Sequence, residues 1–209
     1  MKTLVIGANG QIGRQFCSLA AEAGFPVRAM IRDQAQAAYF ESLGVETVLG
    51  DLEGEFAHAF EGCDQVIFTA GSGPHTGPDK TLMVDLHGAW RAMALADEFE
   101  LGRYIMVSAL RAERPLAAPE KLRPYMAAKH AADELLRHAR TSHVILKPGR
   151  LTDEEPTGKV TTDPEEVDHN MVSRGNVARA LLALSENHAL RDREYLLLDG
   201  VQPVSTVFA

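Results

Sequence analysis

The chain has 209 residues, 45% apolar and 24% charged, with a formal net charge of -8. That length is enough for one domain with a sizeable core, and an acidic balance without a Lys/Arg cluster excludes a nucleic-acid binder. No apolar run approaches the ~20 residues that span a bilayer, and glycines and polar residues follow Lys2 where a secretion signal needs an unbroken apolar stretch, so the expected location is the cytosol, with no membrane partner.

Residues 3–6 (TLVI) read as a short strand that ends at Gly7, followed by a helix over about 11–23 that Gly24, Phe25 and Pro26 stop. Residues 27–31 (VRAMI) are a second strand. Asp33 is placed to cap a helix over roughly 34–43. A third strand covers 45–49, ahead of Gly50-Asp51, and a fourth, strongly apolar one covers 65–70. A helix follows over 79–99, then a strand at 104–108, a helix at 125–140, a strand at 143–147, a helix at 177–185 and a last strand at 195–198. Short apolar strands alternating with longer helices predict a doubly wound parallel sheet with helices on both faces, a Rossmann-like α/β fold in a single domain over 1–209. The segments 71–80 and 109–124 are expected as loops at the carboxyl edge of the sheet, and the polar, Pro-interrupted stretch 151–172 as a flap or small substrate lobe.

The first strand runs into Gly7-Ala8-Asn9-Gly10-Gln11-Ile12-Gly13. Glycines at these spacings permit a tight turn, close approach of backbone to a pyrophosphate and close helix–strand packing, while the free N–H groups of the helix start face the phosphates. The strand–turn–helix context makes this a dinucleotide site rather than an ordinary turn. Gly7, Asn9, Gly10, Gln11 and Ile12 are its expected backbone contacts. At the end of the second strand, where an NAD-specific site places an acid, stands Arg32. Its guanidinium suits a 2′-phosphate, with Arg28 as a possible assistant, and this favours NADP(H) over NAD(H). Reading Asp33 as the ribose partner inverts that preference. Asp51 is a candidate acceptor for the adenine amino group, with Leu52 against the ring.

Tyr125 and Lys129 stand four residues apart on one helix face. A nearby ammonium lowers the cost of forming phenolate, and Ser108 at a strand end can polarise a substrate carbonyl, so the three could move a proton while a cofactor moves a hydride. Cys17 and Cys63 lack metal spacing and read as reduced structural thiols, and the eight histidines form no metal pattern. Trp90, Met93 and Phe99 on the 79–99 helix suit core packing or a dimer face. Arg111, Arg114, Lys121 and Arg123 are either solvated or attract an anionic substrate; His75 and Arg150 lie where a substrate could reach them.

Together, GANGQIG at 7–13, GDL at 50–52, TAGSG at 69–73, GPDKTLMVD at 77–85, MVSAL at 106–110, YMAAKHAADELL at 125–136 and KPGRLTDEEPTGKV at 147–160 resemble the atypical short-chain dehydrogenase/reductases, in their NAD(P)H-binding, NmrA-like and sugar-epimerase-like branch. The resemblance spans nearly the whole chain. It implies a Rossmann domain with a small C-terminal substrate lobe, Tyr125 as acid/base, Lys129 on the ribose, Ser108 orienting substrate, and cofactor contacts from Thr69, Ala70, Gly71, Pro148 and Gly149. It also implies a monomer or homodimer acting on a small molecule, as an oxidoreductase on a carbonyl compound or an epimerase with tightly held cofactor. The branch includes members that bind NADP(H) without known turnover, so a redox sensor is the alternative. Asp85 stands where typical members carry a relay asparagine, a departure that alters or abolishes that relay.

Overall fold

The structure, a computed structural model, describes residues 1–73 and 75–209. In chain order the elements are β1 (Thr3–Ile6), α1 (Gln11–Glu22), β2 (Val27–Ile31), α2 (Ala37–Ser42), β3 (Glu46–Leu49), β4 (Gln65–Phe68), α3 (Pro78–Lys80), α4 (Ala89–Glu98), β5 (Arg103–Val107), α5 (Arg123–Arg137), β6 (His143–Pro148), β7 (Arg150–Thr152), β8 (Lys159–Thr161), β9 (Met171–Ser173), α6 (Arg174–Glu186), β10 (Arg193–Asp199), β11 (Gln202–Pro203) and α7 (Val204–Val207). A π-helical stretch, Thr81–Gly88, joins α3 to α4.

Nine strands form one sheet in the order β11-β8-β10-β6-β5-β4-β1-β2-β3. The pairs from β3 across to β10 are parallel. Strand direction in sequence reverses at β1, whose neighbours are β2 and β4, and this switch point opens a crevice at the carboxyl ends of β1 and β4. Alternation along each strand builds two cores. Val5, Ile67, Ile105, Val144 and Leu146 face α1 and α6, while Leu4, Ile6, Phe68, Tyr104 and Ile145 face α4 and α5. Burial on both faces is why these strands are unbroken apolar runs.

The expected sheet is parallel through its centre, with antiparallel pairing where β8 meets β10 and β11 at one edge. The 151–172 stretch is built onto that edge. It supplies β8 to the main sheet and leads into β9, which pairs with β7 in a two-stranded ribbon. Asn176, fully buried in α6, anchors this region by donating to Asp199 Oδ1 at 2.7 Å and accepting from the Gly158 amide at 2.9 Å.

Three elements are tied by Glu194 of β10, which takes Arg137 of α5 at 2.5 and 2.9 Å and Lys147 of β6 at 2.7 Å. The hydrogen bond from Arg137 leads in pulling its carboxyl down to about 2. A carboxyl lower in the folded than in the unfolded chain stabilises fully above the unfolded value and loses that contribution as pH falls through the folded one. With about a third of the side chain in water, solvent screening leaves ~1 kcal/mol. Glu194→Gln should therefore lower the urea midpoint at neutral pH, and the difference from wild type should shrink as pH falls from about 4.5 towards 2.

Candidate functional site

The turn after β1 is shaped by backbone approach. Gly7 has φ +87°, and a Cβ there would lie 2.5 Å from the Ala70 amide nitrogen; a Cβ on Gly13 would lie 2.4 Å from the Gly7 carbonyl oxygen. The β1 and β4 loops and the start of α1 thus meet at distances only glycine allows. Gly10 precedes the first turn of α1, which has no side-chain cap and no acidic residue. The opening N–H groups and the positive dipole end are left for an anion.

A cleft of about 370 Å³ opens over this turn, lined by Gly7, Asn9, Gly10, Arg32, Asp51, Leu52, Thr69, Ala70 and Gly71 among others. It gathers nine of the residues expected to hold the cofactor. Gln11 and Ile12 open α1 behind Gly10. Arg32 is exposed, follows β2 directly, and forms no ion pair with a described residue. Asp33 is outside the cleft lining, and its carboxylate accepts the Ala35 amide at 2.9 Å as a cap. The expected help from Arg28 is not there. Arg28 lies towards the opposite end of β2, pairing with Glu46 at 2.6 Å and donating to the Ala59 and Glu61 carbonyls. A guanidinium that sequence reading overlooked is closer. Arg14 stacks 4.4 Å from the Tyr39 ring centroid and donates to Asn9 Oδ1 at 2.9 and 2.7 Å. Its signal was the basic residue directly after Gly13.

On the opposite rim, Asp51 Oδ1 accepts the Glu53 amide at 3.0 Å, and Leu52 is buried against Gly88. Lys80 bridges both oxygens of Glu53 at 2.8 Å across the mouth; neither was singled out from sequence. The Thr69 hydroxyl donates to the Ile6 and Gly7 carbonyls, holding the β4 loop to the glycine turn. Asp85, 1% exposed, accepts the Ser72 amide at 2.9 Å. It fastens the loop after β4 to the π-helical stretch.

Ser108, Tyr125 and Lys129 lie between the ends of β5 and α5. Lys129 is 1% exposed, its Nζ donating to the Val107 carbonyl at 2.7 Å. Burial pushes its pKa down, partly offset by Asp85 and Asp133. Burial above all holds Tyr125 well above the ordinary tyrosine range. The Ser108 hydroxyl is 2.7 Å from Asp133 Oδ2, a buried carboxyl that sequence reading passed over. Gly149 is covered by the Asn170 carbonyl and Leu198, and next to it lies a second hollow of about 420 Å³ bordered by Leu110, Arg111, His169 and Leu198. The 109–124 and 151–172 segments therefore meet beside Pro148-Gly149. Pro148 and Gly149 do not line the first cleft.

Cys17 and Cys63 are free and buried, and burial pushes the Cys17 thiol up to about 12. Met93 is in the core, Phe99 packs on Phe60 at 5.9 Å, and Trp90 stays half exposed beside His87. No helix among the described residues is long and apolar enough to cross a membrane.

A sequence profile described as NAD(P)H-binding matches residues 7–188. The chain belongs to this NAD(P)H-binding family. It is 42% identical, over 98% of this chain and 97% of the relative, to the uncharacterized sugar epimerase YhfK of Bacillus subtilis. Among solved structures, a candidate NAD-dependent epimerase/dehydratase of Bacillus halodurans superposes with a TM-score of 0.94 at 36% identity, covering 100% of this chain and 98% of that one. The anaerobillin reductase ChuY of Escherichia coli O157:H7 gives 0.79 at 25%, covering 95% and 97%. Family membership supplies the nicotinamide dinucleotide for which the glycine turn is shaped, in an oxidoreductase- and epimerase-like fold.

Proposed function

We propose that this chain is an NADP(H)-dependent oxidoreductase acting on a small carbonyl-type substrate. The observation that carries the reading is the pairing of an uncapped glycine turn with Arg32, exposed and without an ion-pair partner among the described residues, in the same cleft. Bound there, the dinucleotide supplies the hydride. The amides opening α1 hold the pyrophosphate, and Arg32, with Arg14 behind Asn9, meets the 2′-phosphate, while Asp33 is already engaged as a cap. Tyr125, protonated at neutral pH as an ordinary tyrosine is, donates a proton to the substrate oxygen. Lys129 keeps α5 fastened to the end of β5 through the Val107 carbonyl. The hollow beside Gly149 receives the substrate.

Calorimetric titration with NADPH, NADP+, NADH and NAD+ tests this directly. A charge-assisted bond to phosphate is worth ~1.5–3 kcal/mol, so Arg32→Ala should weaken NADPH about 10- to 100-fold and leave NADH nearly unchanged. Equal wild-type affinities for NADPH and NADH would remove the preference, and no binding of any of the four would remove the reading.

A second reading, a redox sensor that binds NADP(H) without turnover, is favoured by the engagement of Lys129 with a carbonyl and of Asp85 with the Ser72 amide. It expects distinct affinities for oxidised and reduced cofactor, a partner retained with only one form, and no effect of Tyr125→Phe in cells.

A further inference from the structure

The Ser108 hydroxyl has one proton and two possible uses for it. Pointed at Asp133, it leaves Ser108 only an acceptor on its other side, unable to polarise a substrate carbonyl. Pointed outward, it is a donor to that carbonyl, and Asp133 must then supply the hydrogen between the two oxygens. The separation of 2.7 Å fits either direction.

The surroundings of Asp133 decide between them. The residue is 1% exposed, and its Oδ1 is buried without a hydrogen-bond partner among the described residues. An ionised carboxyl would leave half its charge facing no donor, whereas the carbonyl oxygen of a neutral acid tolerates this at far lower cost. Neither neighbouring ammonium donates a hydrogen bond to this carboxyl. Lys147 Nζ on β6 stops 4.0 Å away and is held by Glu194 at 2.7 Å, and Lys129 Nζ, one turn earlier on α5, is held by the Val107 carbonyl. Arg137, one turn later, is engaged by Glu194 and Glu134. Tyr125 and Asp85, whose fields reach this cluster, add no positive charge.

We propose that Asp133 is a positioning residue that carries a proton at neutral pH and donates it to Ser108 Oγ, turning the serine hydroxyl outward as a donor to the substrate oxygen. The raised pKa of Asp133, where burial outweighs Ser108, Lys129, Lys147 and Arg137, agrees with this arrangement. The proposal rests on the oxidoreductase reading for its substrate, but the proton itself can be observed without turnover.

Infrared difference spectra of wild type against Asp133→Asn should show a protonated-carboxyl stretch at neutral pH that the variant lacks and that Ser108→Ala shifts. Absence of the band at neutral pH overturns the proposal whatever the activity. In carbonyl reduction, wild type should lose kcat on the alkaline side as Asp133 ionises. Asp133→Asn, whose amide donates to Ser108 at any pH, should keep near wild-type kcat and lack that alkaline limb, against a loss on the order of 10²-fold for Ser108→Ala. A well-folded Asp133→Asn protein as slow as Ser108→Ala, or one with an unchanged alkaline limb, overturns the proposal. A wild-type protein that shows the band but reduces no compound in a broad carbonyl panel sinks the oxidoreductase reading, and with it the outward role of Ser108.

Discussion

Replacing Tyr125 by phenylalanine is expected to cut carbonyl reduction by ~10²- to 10⁴-fold, the usual worth of a positioned acid, while leaving calorimetric affinity for NADPH nearly unchanged. The direction of the reaction matters to this expectation. A phenol whose pKa is pushed above the ordinary range, by burial first, is fully protonated at neutral pH, so it is loaded as an acid and offers almost no phenolate to act as a base. It suits the step in which an alkoxide gains a proton, not the reverse step in which an alcohol loses one. Reduction should therefore show no pH limb from Tyr125 below about pH 10, the ordinary tyrosine value, whereas oxidation of the corresponding alcohol should quicken as pH rises towards it. Wild-type reduction rates in Tyr125→Phe would remove the phenol from the chemistry.

This differs from what residue spacing alone implies. Tyr125 and Lys129 one turn apart suggest an ammonium that eases phenolate formation, and only the fold reveals that the ammonium is turned to the Val107 carbonyl in a buried site. The same spacing continues to Asp133, four residues further along the same helix face. That signal was present in YMAAKHAADELL, but a carboxylate in a helix reads by default as a solvated side chain, and its burial against Ser108 depends on β5 and β6 packing beneath α5.

Elsewhere legibility follows burial. Residues 27–31 are a strand in both sequence and structure because an unbroken apolar run bounded by turn residues has few other solutions. The strands β7, β8, β9 and β11 have two or three residues each, some of them charged, and exist through their partners; no periodicity announces them. The π-helical stretch within the expected 79–99 helix is likewise silent in sequence, although it places Asp85 under the Ser72 amide. The nucleotide cleft was legible because its chemistry needs particular residues at fixed spacing along one short segment. The hollow beside Gly149 was legible only as loop segments, because it is assembled from stretches distant in sequence and shaped by their meeting.

Arg103 offers the largest effect on stability, and it separates folding from function. Its guanidinium is 2% exposed at the start of β5, with no carboxylate partner among the described residues. It donates instead to the carbonyls of Leu184, Ser185, Asn187 and Leu190 at 2.7–3.1 Å and to Gln65 Oε1 at 2.8 and 3.2 Å. The arginine thus closes the carboxyl end of α6, where unpaired carbonyls and the negative dipole end favour a cation, and burial lowers its pKa to about 10. Arg103→Met fills the space but strands several buried acceptors at ~1–3 kcal/mol each before relaxation, so a net loss of about 3–5 kcal/mol is expected. For a chain of this size that is a fall in Tm of roughly 10 °C. Arg103→Lys should recover only part of it, since one ammonium cannot reach carbonyls spread around a planar fork. Ser108 lies about five strand residues away, ~16 Å along β5, so NADPH affinity below the transition should not change in either variant. A drop in affinity as large as the drop in stability would mean that the two ends of the sheet are energetically coupled, and that the lock of Arg103 on the carboxyl end of α6 also sets the geometry of the cleft.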